Sequence, residues 1–102
     1  MRIIKEGFLV QAAREHPKAA VYLTAWRSIV KAAEWQSLVD VRRSYPSADL
    51  VKVKSGRHVL VFNVCGNSYR LIVAAHFNRQ IVYTLRFMTH AEYSKDFWKD
   101  DL

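Results

Sequence analysis

Residues 58–76 read His58-Val59-Leu60-Val61-Phe62-Asn63-Val64-Cys65-Gly66-Asn67-Ser68-Tyr69-Arg70-Leu71-Ile72-Val73-Ala74-Ala75-His76, and this run decides the fold. It is dense in β-branched and aromatic residues, which suit a pleated, half-buried surface, and it breaks once, at Gly66-Asn67. That dipeptide fits a two-residue hairpin turn, with glycine supplying a positive φ. Two antiparallel strands, 58–64 and 68–76, are therefore expected. The run from Ile81 to Thr89 has the same character and adds a third strand through a connection at Asn78-Arg79-Gln80. A further strand near Leu50 to Val53, turning at Ser55-Gly56, is expected with its register open.

The turn fixes which residues meet. Centred on Gly66-Asn67, it sets Asn63 opposite Arg70 and Val61 opposite Ile72, so Phe62, Val64, Tyr69, Leu71 and Val73 share the face that packs on helices. For the next hairpin a three-residue loop places Ile72 opposite Arg86 and Ser68 opposite His90. Arg70, Arg86 and His90 then occupy one open, hydrated side. A two-residue loop would put Arg86 beside Leu71, at a large desolvation cost, so the three-residue loop is preferred.

Upstream the periodicity changes from two to about 3.6. Ile4, Phe8, Leu9, Ala12 and Ala13 recur at helical spacing, predicting an amphipathic helix over 4–15 in which Gly7 costs about 1 kcal/mol of propensity. Pro17 fits the first turn of a second helix, running to about residue 35 with Tyr22, Trp26, Ile29, Val30 and Ala33 as its apolar stripe. Ser37 with Asp40 can form a capping box for a short third turn, ended by Pro46. The class is α+β: two N-terminal helices packed on a small, twisted, mainly antiparallel sheet, with a short C-terminal helical turn. A helix-turn-helix DNA reader is disfavoured because strands replace the third helix.

The 102 residues, 51% hydrophobic and 13% aromatic, are enough for one ordered domain spanning 1–102 and too few for two. The one cysteine, Cys65, can form neither an internal disulfide nor a multi-cysteine zinc site, and reads as a packing residue rather than a nucleophile. Charges appear by Lys5 and Glu6, before any signal-peptide core, and no apolar run approaches the roughly 20 residues that span a bilayer. A cytoplasmic protein with no membrane partner is expected. His58 and His76 fall near opposite strand ends, so no metal and no cofactor are expected.

The net charge is +7, and its distribution is informative. Between Asp49 and Glu92 there is no carboxylate, while Lys52, Lys54, Arg57, Arg70, Arg79 and Arg86 lie in that stretch. Such a field favours a polyanion. Arg70 and Arg86 on adjacent strands offer planar forks for phosphate oxygens, with Lys52, Lys54, Arg57 and Arg79 as further phosphate contacts. His90 ends the last strand, and Tyr93 shares its side if a helical turn follows.

RNA carries its own nucleophile, the 2′-hydroxyl, which attacks the adjacent phosphorus and expels the next 5′-oxygen without a metal. His90 can take or give the proton near neutral pH; Tyr93 suits donation, orientation or stacking; Arg70 and Arg86 can stabilise charge on the phosphate. DNA lacks this nucleophile, so the constellation Arg70, Arg86, His90 and Tyr93 favours RNA.

Two runs also carry a family resemblance. Val61 to Ile72 is close to the pattern F-N-V-x-G-N-x-Y-R-L, and Arg86-Phe87-Met88-Thr89-His90-Ala91-Glu92-Tyr93 matches the closing strand and the turn after it. With Leu38 to Asp49, including Tyr45-Pro46-Ser47-Ala48-Asp49, the chain resembles the HigB toxins of the RelE-like superfamily over essentially its whole length. The resemblance implies a RelE-like fold and a bacterial type II toxin that cleaves translated mRNA in the ribosomal A site, contacts rRNA, and is neutralised by a HigA-type antitoxin. It implies that Arg70 stands on the arginine strand of a basic catalytic sheet. Two other readings remain open at this point: a non-enzymatic adaptor that takes an acidic partner on its basic sheet, and a ParE-like inhibitor of gyrase.

Overall fold

The computed structural model describes residues 1–102. Strand β1 (Arg2–Ile4) precedes helix α1 (Glu6–Glu15), a 3₁₀ turn (Pro17–Ala19), α2 (Ala20–Ala32) and α3 (Leu38–Ser44). Then come β2 (Asp49–Lys52), β3 (His58–Val64), β4 (Tyr69–His76), a 3₁₀ turn (Phe77–Arg79), β5 (Ile81–Thr89), α4 (His90–Ser94) and a last 3₁₀ turn (Phe97–Asp101). The sheet order is β1-β5-β4-β3-β2, with β1 parallel to β5 and every other pair antiparallel. This is the expected α+β class, with one strand more than the sequence reading supplied.

That strand is β1. Ile3 and Ile4 fit a helical stripe as well as a strand, but Ile4 pairs with Tyr83, and the helix expected over 4–15 starts only at Glu6. Lys5 makes the corner in the left-handed region (φ 66°). The buried Thr84 hydroxyl donates to the Ile4 and Lys5 carbonyls at 3.3 and 3.0 Å, satisfying carbonyls at the strand end.

The second helix stops at Ala32 rather than near 35, because Ala33 turns extended and sends Trp35 into the core. Its buried stripe is Leu23, Trp26 and Val30, whereas Ile29 is 41% exposed. The capping box expected at Ser37 does not form: Asp40 Oδ2 accepts from the Gln36 amide at 2.8 Å instead.

The helix-facing core holds Leu60, Phe62, Val64, Leu71 and Val73 against Leu9, Leu23, Trp26 and Val30, with Tyr69 and Phe87 packed on its margin. Trp26 meets Phe62 edge-on at 5.5 Å. This is the face the strand alternation assigned, and Asn63 opposite Arg70 and Val61 opposite Ile72 are the observed partners. The turn between them is longer than expected. Residues 65–68 form a four-residue loop centred on Gly66-Asn67, and Cys65 joins Gly66 at positive φ (53° and 67°). Cys65 is exposed, its thiol 3.4 Å from the Lys18 carbonyl, and so is not the packing residue expected.

The β4–β5 connection also differs. His76 pairs with Ile81, so the loop has four residues and not three, and a bulge between Ile72 and Val73 then shifts the ladder by one. Ile72 still faces Arg86, by a different route. The bulge exists because Val82 and Thr84 belong to the helix side and so does Phe87, an odd spacing that a regular strand cannot satisfy.

The opposite sheet face is not open throughout. Trp98, from the C-terminal turn, closes a second core over Val53, Val59, Val61, Ile72 and Met88. The sequence placed Val61 and Ile72 on this side but gave no partner for them.

Candidate active site

The site grows from the end of the β4–β5 ladder, where Arg70 stands opposite Met88 and His90 opens α4. A capping box aims this helix: Thr89 Oγ1 accepts from the Glu92 amide at 3.2 Å, and Glu92 Oε1 accepts from the Thr89 amide at 3.3 Å and hydroxyl at 3.0 Å. The His90 amide donates to the Ser68 carbonyl at 3.0 Å, fixing the helix start to the β3–β4 turn. His90 and Tyr93, three residues apart, then share a side of the turn.

Arg70 joins them. Its Nη2 lies 3.2 Å from His90 Nδ1 and donates to Asn67 Oδ1 at 3.3 Å; Nη1 donates to the Tyr69 carbonyl at 3.0 Å. Its Cζ is 5.3 Å from the Tyr93 ring centroid, within cation–π range. Arg70 is only 7% exposed, against the expectation of a hydrated side chain, because Tyr93 lies against it and hydrogen-bond acceptors take the place of water. Guanidinium has no acceptor, so the 3.2 Å contact is a bond only when Nδ1 of His90 is unprotonated and the neutral ring carries its proton on Nε2.

Tyr93 is held from behind. Its ring stacks on Trp98 at 5.2 Å with 19° between planes, and Trp98 Nε1 donates to the Tyr93 carbonyl at 3.1 Å. Burial pushes the Tyr93 phenol above its ordinary value, with Lys99 and Arg70 pulling more weakly the other way and Asp49 and Asp96 adding to the rise. The phenol is therefore a proton donor at neutral pH.

Arg86 shares this face, opposite Ile72 and diagonally across from Arg70. It is exposed, and the one acceptor it meets is the Leu85 carbonyl at 2.8 Å. The other cationic candidates scatter. Lys52 pairs with His58, on the side of the sheet that Leu60 and the helices occupy, and is turned away from Arg70. Lys54 sits in the β2–β3 loop, where its amide donates to the Lys99 carbonyl at 3.1 Å. Arg57 and Arg79 line a cavity together at the far end of β4.

Three contributors escaped the sequence reading. Thr89 was detectable, since Thr89-His90-Ala91-Glu92 has the spacing of a capping box. Asn67 was read only as a turn residue, and nothing local marks Trp98 as the backing of Tyr93. No three His, Cys, Asp or Glu side chains converge on one point.

With this geometry described, comparison with known proteins identifies the class. Residues 19–96 match the HigB toxin family, described as the RelE-like toxic component of a toxin-antitoxin system. The chain belongs to that family. It is 27% identical over 95 residues to the mRNA interferase HigB of Escherichia coli O6:H1, covering 93% of this chain and 90% of that protein. It is 29% identical over 93 residues to the mRNA interferase HigB of Shigella flexneri, covering 91% and 88%. No helix is long and apolar enough to cross a membrane.

Proposed function

We propose that the protein is a ribosome-dependent mRNA endoribonuclease that inhibits translation, uses the RNA 2′-hydroxyl as nucleophile without a metal, and is neutralised by a HigA-type antitoxin. The observation that carries this reading is the junction of Arg70, His90 and Tyr93, with Arg86 on the same face. Family membership and the naming of the relatives as mRNA interferases support it.

In this mechanism the scissile phosphate enters between Arg86 and Arg70, displacing the Tyr93 ring from the guanidinium. A phosphate oxygen is the stronger acceptor for Arg70, because that bond is charge-assisted on both sides, so its arrival frees His90 Nδ1. The freed nitrogen takes the proton from the 2′-hydroxyl. The 2′-oxygen bonds to phosphorus, the bond to the 5′-oxygen breaks, and the Nε2 proton of the resulting imidazolium passes to that leaving oxygen. Arg86 and Arg70 stabilise the charge on the phosphate oxygens, and the Tyr93 phenol donates to one of them. The products are a 2′,3′-cyclic phosphate and a 5′-hydroxyl. Lys54 extends the electrostatic surface towards the ribosome and its rRNA.

Mapping the ends of an mRNA incubated with purified ribosomes and wild-type protein, with and without EDTA, tests the reading. Cyclic-phosphate and 5′-hydroxyl ends made on translating ribosomes in both conditions are expected. No cleavage by folded protein, with supercoiling by gyrase inhibited instead, would replace it with the ParE-like alternative; neither activity would leave the adaptor.

A further inference from the structure

The sheet face that carries Arg70 and Arg86 continues past the bulge into a cavity of about 260 Å³ that the mechanism leaves unused. Its walls include Lys5, Arg57, Arg79, His76 and Tyr83. Register puts Tyr83 opposite Ala74 and Leu85 just before the bulged pair, all on the side of Ile72 and Arg86. No carboxylate lines the cavity. Of the three cations, none joins an ion pair and none donates a side-chain hydrogen bond, unlike Arg27, Arg42, Arg43, Lys31 and Lys99 elsewhere on the surface. The rings of His76 and Tyr83 meet edge to face at 5.4 Å and 84°, so their planes are held while the hydroxyl and imidazole nitrogens keep free hydrogen-bonding capacity.

The geometry points to a second RNA subsite here, taking one phosphodiester and its stacked base, separate from the cleavage site. Three unpartnered cations without a neighbouring carboxylate favour an anion, and fixed aromatic rings beside them favour an attached planar base, the pairing that single-stranded nucleic acid presents. Small Ala74 forms part of the lining and leaves depth for a ring. Arg70 and His76 are six positions apart along β4, about 20 Å at strand rise, so the two sites engage nucleotides a few positions apart, with Arg86 between them. This inference rests on the proposal that the protein acts on RNA. The chemistry is common to message and ribosomal RNA, so the test separates the two.

Binding is measured by fluorescence anisotropy with labelled single-stranded RNA of three and nine nucleotides, 2′-O-methylated throughout to block cleavage, and by co-sedimentation with purified small ribosomal subunits. Wild-type protein, the Arg57→Gln/Arg79→Gln double variant and Tyr83→Ala are compared, with thermal melting to verify folding; Tyr83→Leu, which fills space without an aromatic ring, serves if Tyr83→Ala fails to fold. If message occupies the cavity, the nine-mer binds wild type at least about tenfold more tightly than the three-mer. The double variant then loses most of that advantage, and its salt slope for the nine-mer falls by about 0.7, the one phosphate contact of the subsite. Tyr83→Ala weakens the nine-mer at least about fivefold with its salt slope kept, as loss of stacking requires. If ribosomal RNA occupies it, the variants lose subunit binding and keep nine-mer affinity. Wild-type behaviour in both assays overturns the subsite. Because no readout involves cleavage, loss of binding in these variants would stand even if the protein proved to cut no RNA.

Discussion

Arg70 Nη2 and His90 Nδ1 are 3.2 Å apart, although the two residues are twenty positions apart in the chain. Two independent devices bring them together: the β4–β5 register, which sets Arg70 opposite Met88, and the capping box that turns the chain at Thr89. The contact is a hydrogen bond for the imidazole tautomer with Nδ1 unprotonated, and it ties a buried positive charge to the ring that the proposed mechanism uses for proton transfer.

Arg70 and Arg86 therefore respond differently to truncation. Arg70→Ala leaves Asn67 Oδ1 and the Tyr69 carbonyl without their donor and is expected to cost about 1–3 kcal/mol of stability. Arg86→Ala, at an exposed position, is expected to change stability by less than about 0.5 kcal/mol. Both should slow mRNA cleavage at least about tenfold, equivalent to about 1.4 kcal/mol of transition-state stabilisation. Urea melts and cleavage rates on the two variants check the contrast; equal stabilities would remove the structural part of the Arg70 assignment.

Tyr93→Phe is expected to lower the cleavage rate without moving the alkaline limb of its pH profile. Burial holds the phenol above its ordinary value, so it stays protonated across the working range and cannot supply that limb. Rate against pH from 6 to about 9.5 decides it: a limb that disappears with the hydroxyl would make Tyr93 the titrating group.

Trp98 joins the site to stability. Trp98→Ala opens the core over Val61, Ile72 and Met88 and is expected to cost about 3–5 kcal/mol. Trp98→Phe keeps a ring behind Tyr93 and loses the indole bond to the Tyr93 carbonyl, so it should retain more activity than Trp98→Ala at temperatures where both are folded. Equal activity in the two folded variants would reject a positioning role.

Alkaline pH should loosen the helix-facing core. Burial pushes Tyr45 up to about 12 and raises Tyr22 further, the two rings lying 6.1 Å apart. In the unfolded chain both ionise near 10. Their contribution is thus fully present below about 10 and is lost as pH climbs towards the folded value, because the unfolded state then binds fewer protons. Melting temperatures between pH 8 and 11.5 should fall, and Tyr45→Phe should flatten the decline. An unchanged slope in that variant would show that other groups drive it.

Much of the fold could be read directly because each strand alternates one apolar face against the helices, and shifting the register by one residue would expose Phe62, Leu71 and Val73 together. What escaped were choices that the alternation leaves degenerate. A three-residue loop, and a four-residue loop followed by a bulge, both set Ile72 opposite Arg86. Ile3 and Ile4 satisfy two periodicities, and only the long-range partner Val82 selects the strand. At the site, the positions of Arg70, Arg86, His90 and Tyr93 follow from register and a helical turn, while the burial of Arg70 depends on Tyr93 and its backing by Trp98, a contact between segments that no local pattern encodes. The face that Lys52 occupies, with His58 on the helix side, could not be read because the β2 register was open.

The central claim is that the Arg70–His90 pair performs the chemistry of RNA cleavage. Single-turnover cleavage of mRNA on programmed ribosomes by His90→Gln, alongside its ribosome affinity and melting temperature, tests it most directly. The account predicts a folded protein that binds ribosomes as wild type does and cuts at least about tenfold more slowly. A wild-type rate from that protein would contradict it.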